Sequence, residues 1–196
     1  MKENRFLNQI NFLLEIDKEK DILRQTHTTS GKRENDAEHA WHMAIMIYLL
    51  KEYSNNKIDV AKTIIMALIH DVVEIDAGDT YAYDKEGAKT QREREEKAAN
   101  RIFSLLPQDQ KEEMLSLFKE FEKGESPEAQ FARCLDNFQP IILNDYNNGQ
   151  DWKLHKVCKS QILERNKRTE KGSKVLHEHI AKIIENNVKK GNVIDE

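Results

Sequence analysis

Six consecutive apolar residues, Ile64 to Ile69, end directly on His70-Asp71, in a stretch that begins after Asp59. A helix apolar nearly all round its axis belongs at the centre of a fold. The pattern therefore predicts a buried helix capped by Asp59 and running through about Val72, with the rest of the chain wrapped around it. That wrapping must also be helical. With 7 Gly and 3 Pro in 196 residues, the chain has little turn chemistry for many short strands, and no segment shows strand alternation.

Apolar residues at helical spacing predict further helices over residues 5–15, 37–53, 89–105, 107–121, 126–146 and 152–189. The last is interrupted at Gly172-Ser173, and Asn35 or Asp36 caps the second. Residues 25–36 are nearly devoid of apolar side chains and read as a polar loop; long loops in compact folds are often functional. The expected fold class is all-α. A single domain spans residues 1–196, with a core over about 5–150 and a helical C-terminal extension over 151–196.

A net charge of −4 gives no general attraction to nucleic acid or anionic lipid. No apolar run is long enough for a membrane span, and the N-terminus reads as a helix rather than a signal peptide. Two cysteines without paired spacing suit a reducing compartment. The expectation is a cytoplasmic protein with neither nucleic-acid nor membrane partners.

The chemistry concentrates in four residues: His39 early in the second helix, His70 and Asp71 at the end of the third, and Asp136 within "FARCLDNFQPIILN". Two imidazoles and two carboxylates neutralise a divalent cation and leave positions for water and a substrate oxygen. A mixed nitrogen and oxygen set suits manganese, cobalt, iron or zinc. Asp71 also stands where an anion opposes the helix dipole, a sign of positive charge nearby. Taken singly, each has a plainer reading: a hydrogen-bonded histidine, or an Asp136 paired with Arg133. His42 shares a helix face with His39 and reads as a supporting or packing residue.

The order His39…His70-Asp71…Asp136 resembles the H…HD…D signature of the HD-domain metal-dependent phosphohydrolases. "RENDAEHAWH", "ALIHDVVEIDAGD" and "ARCLDNFQPIILN" are similar to the branch holding the bacterial 5′-deoxynucleotidases and related HD-domain-containing proteins. The resemblance implies a helical bundle with His39, His70, Asp71 and Asp136 as ligands to a metal between central helices. It implies a homodimer, and hydrolysis of nucleoside 5′-monophosphates to nucleoside and phosphate.

Glu74 matches a catalytic carboxylate near the attacking water. It also follows His70 by four residues and Asp71 by three, which puts it on their face if the helix continues. Asp79 matches an acid that meets the sugar 3′-hydroxyl, and Gly78 before it permits a sharp turn. Arg24 has the spacing of the family arginine that holds phosphate, and Arg33 is a second candidate cation. Gln25 departs from the bacterial pattern, which carries a tryptophan there, so exclusion of ribonucleotides is not implied for this chain. Two other readings stand: a hydrolase of another nucleotide (cyclic, triphosphate or guanosine tetraphosphate), and a metal- and nucleotide-binding module with little turnover.

Overall fold

The computed structural model describes residues 2–84 and 86–196, with side chains described from residue 4 onward. Helix α1 (Lys2–Ile16) leads through a 3-10 turn into two strands, β1 (Leu23–His27) and β2 (Arg33–Asn35). Next come α2 (Asp36–Leu50), α3 (Val60–Ile69) and the short α4 (Glu74–Ala77). Helices α5 (Ala88–Phe103), α6 (Gln108–Lys123) and α7 (Pro127–Tyr146) follow. Four pieces close the described chain: α8 (Gln150–Leu154), α9 (Lys159–Asn166), α10 (Thr169–Gly172) and α11 (Lys174–Lys189).

The expected all-α class holds, with one small departure. The polar stretch expected to be a loop contains an antiparallel ribbon, pairing Leu23 with Asn35 and His27 with Arg33 around a turn at Gly31 (φ +83°). Polar side chains at almost every position hid it, because neither face of this ribbon forms an apolar stripe. The long C-terminal helix also breaks more often than its periodicity suggests. Lys156 adopts a positive φ of 52° after α8, and Ser173 caps α11 through the Leu176 amide.

Two apolar clusters form the interior. One gathers α2, α3, α7 and the C-terminal helices around Met43, Ile47, Phe131, Leu135 and Ile180; the other joins α1, α5 and α6 around Phe103 and Val72. Helix α7 packs on α2, α3, α6, α10 and α11 and is the hub of the fold. Phe131, Leu135 and Ile141 are buried, so Asp136 is carried on a helix packed into the core. Pro140 lies four residues after Asp136 inside α7, and lacks the amide that would bond the Asp136 carbonyl.

Helix α3 ends at Ile69, earlier than expected, and the chain bends at His70 and Asp71. This places the acid just past the C-terminal end of the helix, where the dipole opposes it and nearby positive charge is needed. The central helix is also not sealed on every side, since Ile65 and Leu68 reach the surface. On α2, Asn35 rather than Asp36 is the cap: its side chain accepts the Glu38 amide at 2.9 Å while Glu38 accepts the Asn35 amide.

Candidate metal centre and substrate cleft

His39 from α2, His70 at the end of α3 and Asp136 from α7 each bring one ligand atom within 4.8 Å of the others. His39 Nε2 lies 3.2 Å from Asp136 Oδ1, and His70 Nε2 lies 3.8 Å from the same oxygen. Asp71 joins them: its Oδ1 is 3.1 Å from His70 Nε2 and its Oδ2 is 3.9 Å from His39 Nε2. Residues from three helices and a bend, up to 97 positions apart, thus meet at one point. Asp136 does not pair with Arg133, which turns to Glu122 and to the Phe121 carbonyl instead.

The surroundings of the two imidazoles show what this point is built to hold. His70 Nδ1 lies 2.8 Å from the Ala67 carbonyl oxygen, and His39 Nδ1 lies 3.1 Å from Gln139 Oε1. Gln139 is itself oriented, because its amide donates to Glu34 Oε1 at 2.6 Å and so must present oxygen to His39. Each Nδ1 therefore carries the hydrogen, and each Nε2 offers a lone pair. Both lone pairs face carboxylate oxygens, and buried His70 Nε2 has no hydrogen-bond partner. Lone pairs opposed to anions in a buried pocket repel unless a cation stands between them. The residues fit a divalent metal.

The charge balance agrees. Burial would raise Asp71, but His70 and Arg24 outweigh it and hold this carboxylate well below its ordinary range. Burial would also raise Asp136, and its closeness to His39 and His70 reverses this and holds it well below the ordinary carboxylate range. Burial, aided by Arg24, lowers His39 to about 4 and keeps it neutral. Burial would lower His70 too, yet Asp71 and Asp136 overcome it and raise its proton affinity, so a proton takes the place between them when no metal does.

Beside the cluster opens a cleft of about 1020 Å³, lined by Arg24, Gln25, His70, Asp71, Glu74, Asp79 and Asp136 among others. Glu74 begins α4, is 7% exposed and has a buried carboxyl oxygen, Oε2, without a partner. Burial and then Asp71, Asp36 and Asp79 push it up to about 11. Gly78 ends α4 at a φ of +74°, the turn expected there, and Asp79 follows into the cleft with its proton affinity raised by burial. Asp76, by contrast, pairs with Arg101 away from the cleft.

Arg24, on β1, reaches the cluster from the ribbon. Its Nη1 donates to Asp71 Oδ2 at 2.7 Å and to Asp36 Oδ1 at 3.1 Å, and its side chain is 12% exposed. Arg33 does not line the cleft. Its guanidinium donates to the carbonyls of Arg24 and Leu23, bracing the ribbon that carries Arg24, and it pairs with neither Glu38 nor Asp36. His42 has the supporting place expected of it, with Nδ1 3.2 Å from Gln139 Nε2.

Sequence reasoning missed several residues. Gln139 and Glu34 orient His39, and Asp36 anchors Arg24, yet each sits in an ordinary polar context in the chain. Buried Glu19 was missed as well, and burial raises it to about 8. One signal was available: Gln139 falls one helical turn after Asp136, on its face.

A family model described as an HD domain matches residues 16–177. The chain belongs to the HD domain family. The match extends past the expected core into the C-terminal helices. The human 5′-deoxynucleotidase HDDC2 is 33% identical over 109 residues, covering 56% of this chain and 52% of that protein. The mouse 5′-deoxynucleotidase HDDC2 is 30% identical over 138 residues, covering 70% and 66%. This HD domain thus spans about half to two thirds of the length of these curated relatives. It is 42% identical to a predicted metal-dependent phosphohydrolase of known crystal structure from Magnetospirillum magnetotacticum MS-1, with a TM-score of 0.94 over 99% of this chain and 98% of that one.

Proposed function

We propose that this HD domain is a metal-dependent phosphomonoesterase that hydrolyses nucleoside 5′-monophosphates, deoxyribonucleotides among them, to nucleoside and phosphate. The observation that carries the reading is the pair of imidazoles with committed Nδ1 hydrogens, whose free Nε2 atoms converge with Asp136 and Asp71 at the wall of a cleft. The names of the relatives support the same reaction class.

In this reading His39, His70, Asp71 and Asp136 hold a divalent transition metal. When bound, that ion polarises phosphoryl oxygens, acidifies water and offsets the neighbouring acids that keep a proton on Glu74. Glu74 orients the attacking water and takes its proton as the bond to phosphorus forms, and that proton passes on to the sugar 5′-oxygen as its bond to phosphorus breaks and it leaves as the hydroxyl. Arg24, fixed by Asp36 and Asp71, presents its remaining donors to the phosphoryl oxygens. Asp79 accepts the sugar 3′-hydroxyl. Gln25, which lines the cleft, stands where the bacterial pattern has a tryptophan, so this reading carries no exclusion of ribonucleotides. Arg33 acts through the ribbon.

We also propose that residues 1–196 form one functional unit, since α9 and the Lys167-Arg168 turn after it supply part of the cleft wall. No helix among the described residues is long and apolar enough to cross a membrane, and we place the protein in the cytoplasm. A homodimer is supported by an apolar stripe on α2. Trp41, Ile45, Tyr48 and Leu49 are 44–64% exposed, and neighbouring α3 adds exposed Ile65 and Leu68. Contiguous apolar surface of this kind marks an interface.

The test is phosphate release from dAMP, dGMP, dUMP and their ribo forms by metal-stripped protein, with manganese, cobalt, iron or zinc restored. Turnover with one or more metals is expected, and silence across the panel overturns the reading. Glu74→Gln is expected to lower kcat by about 10²–10⁴-fold while nucleotide binding persists. Binding without turnover in the unaltered protein favours a nucleotide-binding module instead.

A further inference from the structure

Two arginines of α5, Arg94 and Arg101, stand seven residues apart and so share one face of that helix. Both reach the segment that carries Glu74 and Asp79. Arg101 Nη2 donates to Asp76 Oδ1 of α4 at 2.8 Å. Arg94 reaches the turn that follows α4. Its Nη1 donates to the Ala77 carbonyl, and its Nη2 donates to Thr80 Oγ1 at 2.8 Å. Gly78 and Asp79 lie between those two acceptors, so one guanidinium spans the turn.

The same Nη2 lies 3.5 Å from the Gly87 carbonyl oxygen, and Nε donates to Thr90 Oγ1 at 3.3 Å, one turn back along α5. Arg94 therefore touches both ends of the loop from Ala77 to Gly87, whose Asp79, Tyr81 and Tyr83 line the cleft. Arg94 itself is half-buried and forms no part of the cleft lining.

The turn has little stiffness of its own. Gly78 sits at a φ of +74°, and nothing lies within 4 Å of the place a Cβ would take there. A glycine in open space neither restricts the backbone nor packs against a neighbour. The direction of the Asp79 carboxylate thus depends on what grips the turn from outside, and a planar fork fixes the spacing of its acceptors. Glu74 is held by other means. Its amide donates to the Asp71 carbonyl at 2.8 Å, its carbonyl accepts the Gly78 amide at 2.7 Å, and Arg101 anchors α4 through Asp76. Loss of Arg94 frees the turn and leaves Glu74 in place.

We propose that Arg94 is a positioning residue for the sugar end of the substrate: by clamping the turn it aims Asp79 at the 3′-hydroxyl. This rests on the role given to Asp79 above.

The unaltered protein and Arg94→Leu, each with a metal that supports turnover, are compared on dAMP and on 2′,3′-dideoxyadenosine 5′-monophosphate, which lacks the 3′-hydroxyl. For dAMP, KM is expected to rise about tenfold with kcat within about threefold, while KM for the dideoxy compound stays within about twofold. In an Asp79→Asn background, Arg94→Leu is expected to raise the dAMP KM by less than about twofold, because the two residues act as one unit. Thr80→Val removes a single acceptor and is expected to show the same selectivity at about two- to threefold, a check that stands even if Arg94→Leu does not fold. Equal losses on the two compounds, no loss on either, or full additivity with Asp79→Asn overturns the proposal and leaves the nucleotidase reading in place. An unaltered protein with no preference for dAMP over the dideoxy compound overturns the sugar role of Asp79 and this proposal with it. Inactivity of the unaltered protein on both compounds overturns the nucleotidase reading as well.

Discussion

Gln139 illustrates how much of a site can rest on a residue that touches no substrate. Its amide is fixed by Glu34, so its oxygen faces His39 Nδ1 and decides which nitrogen of that ring is free to ligate. Gln139→Leu fills a similar volume without the acceptor. We expect metal affinity to fall by about 10–100-fold, read by titration of the stripped protein, and Tm to fall as well because buried Glu34 loses its donor. At this scale the sequence was most legible where chemistry and spacing coincide. His70, Asp71 and Glu74 lie within five positions, and acids closing an apolar helix require explanation. It was least legible for Arg33, because a guanidinium bound to two backbone carbonyls looks in the chain like any other cation.

Among the elements, the apolar period identified every long helix of the bundle, since burial of one face decides both periodicity and packing. It failed at the ribbon of β1 and β2, which is held by backbone pairing, by Arg33 and by His27, whose Nδ1 lies 2.6 Å from Asp151 Oδ1. It also failed to foresee that α8, α9 and α10 are separate, because long-range contacts such as the pairing of Cys158 with Ile194 accompany their breaks. The seat of α10 is one such contact. Gly172→Ala drives a methyl into the Gln130 carbonyl and against Cys134 Cβ, 2.7 Å away. Overpacking of this sort costs about 1–3 kcal/mol. We expect a lower urea midpoint with an unchanged slope.

Across the whole molecule, acids gather beneath the cleft faster than cations can match them. Glu19 is raised from 4.5 to about 8, first by burial and then by Asp71 and Asp36. Between those values the unfolded chain has released the proton and the folded chain retains it, so folding binds a proton there. Stability therefore falls as pH rises from about 4.5 to about 8. Glu34 and Asp36, each raised to about 7 by burial first, add to the same slope. Denaturation in urea at pH 5 and pH 8, with chelator present, is expected to show this loss. Glu19→Gln should flatten part of it, on the order of 1–3 kcal/mol.

One nitrogen of Arg24 joins Asp71 and Asp36, while the ribbon beneath it is stitched by Arg33. Fraying of that ribbon withdraws a counter-charge from the dyad and loosens a wall of the ion's cage in the same movement. We therefore expect metal binding and the opening of these two short strands to be linked, and amide protons in the ribbon to exchange at a different rate in metal-loaded and metal-stripped protein; equal rates would separate the two.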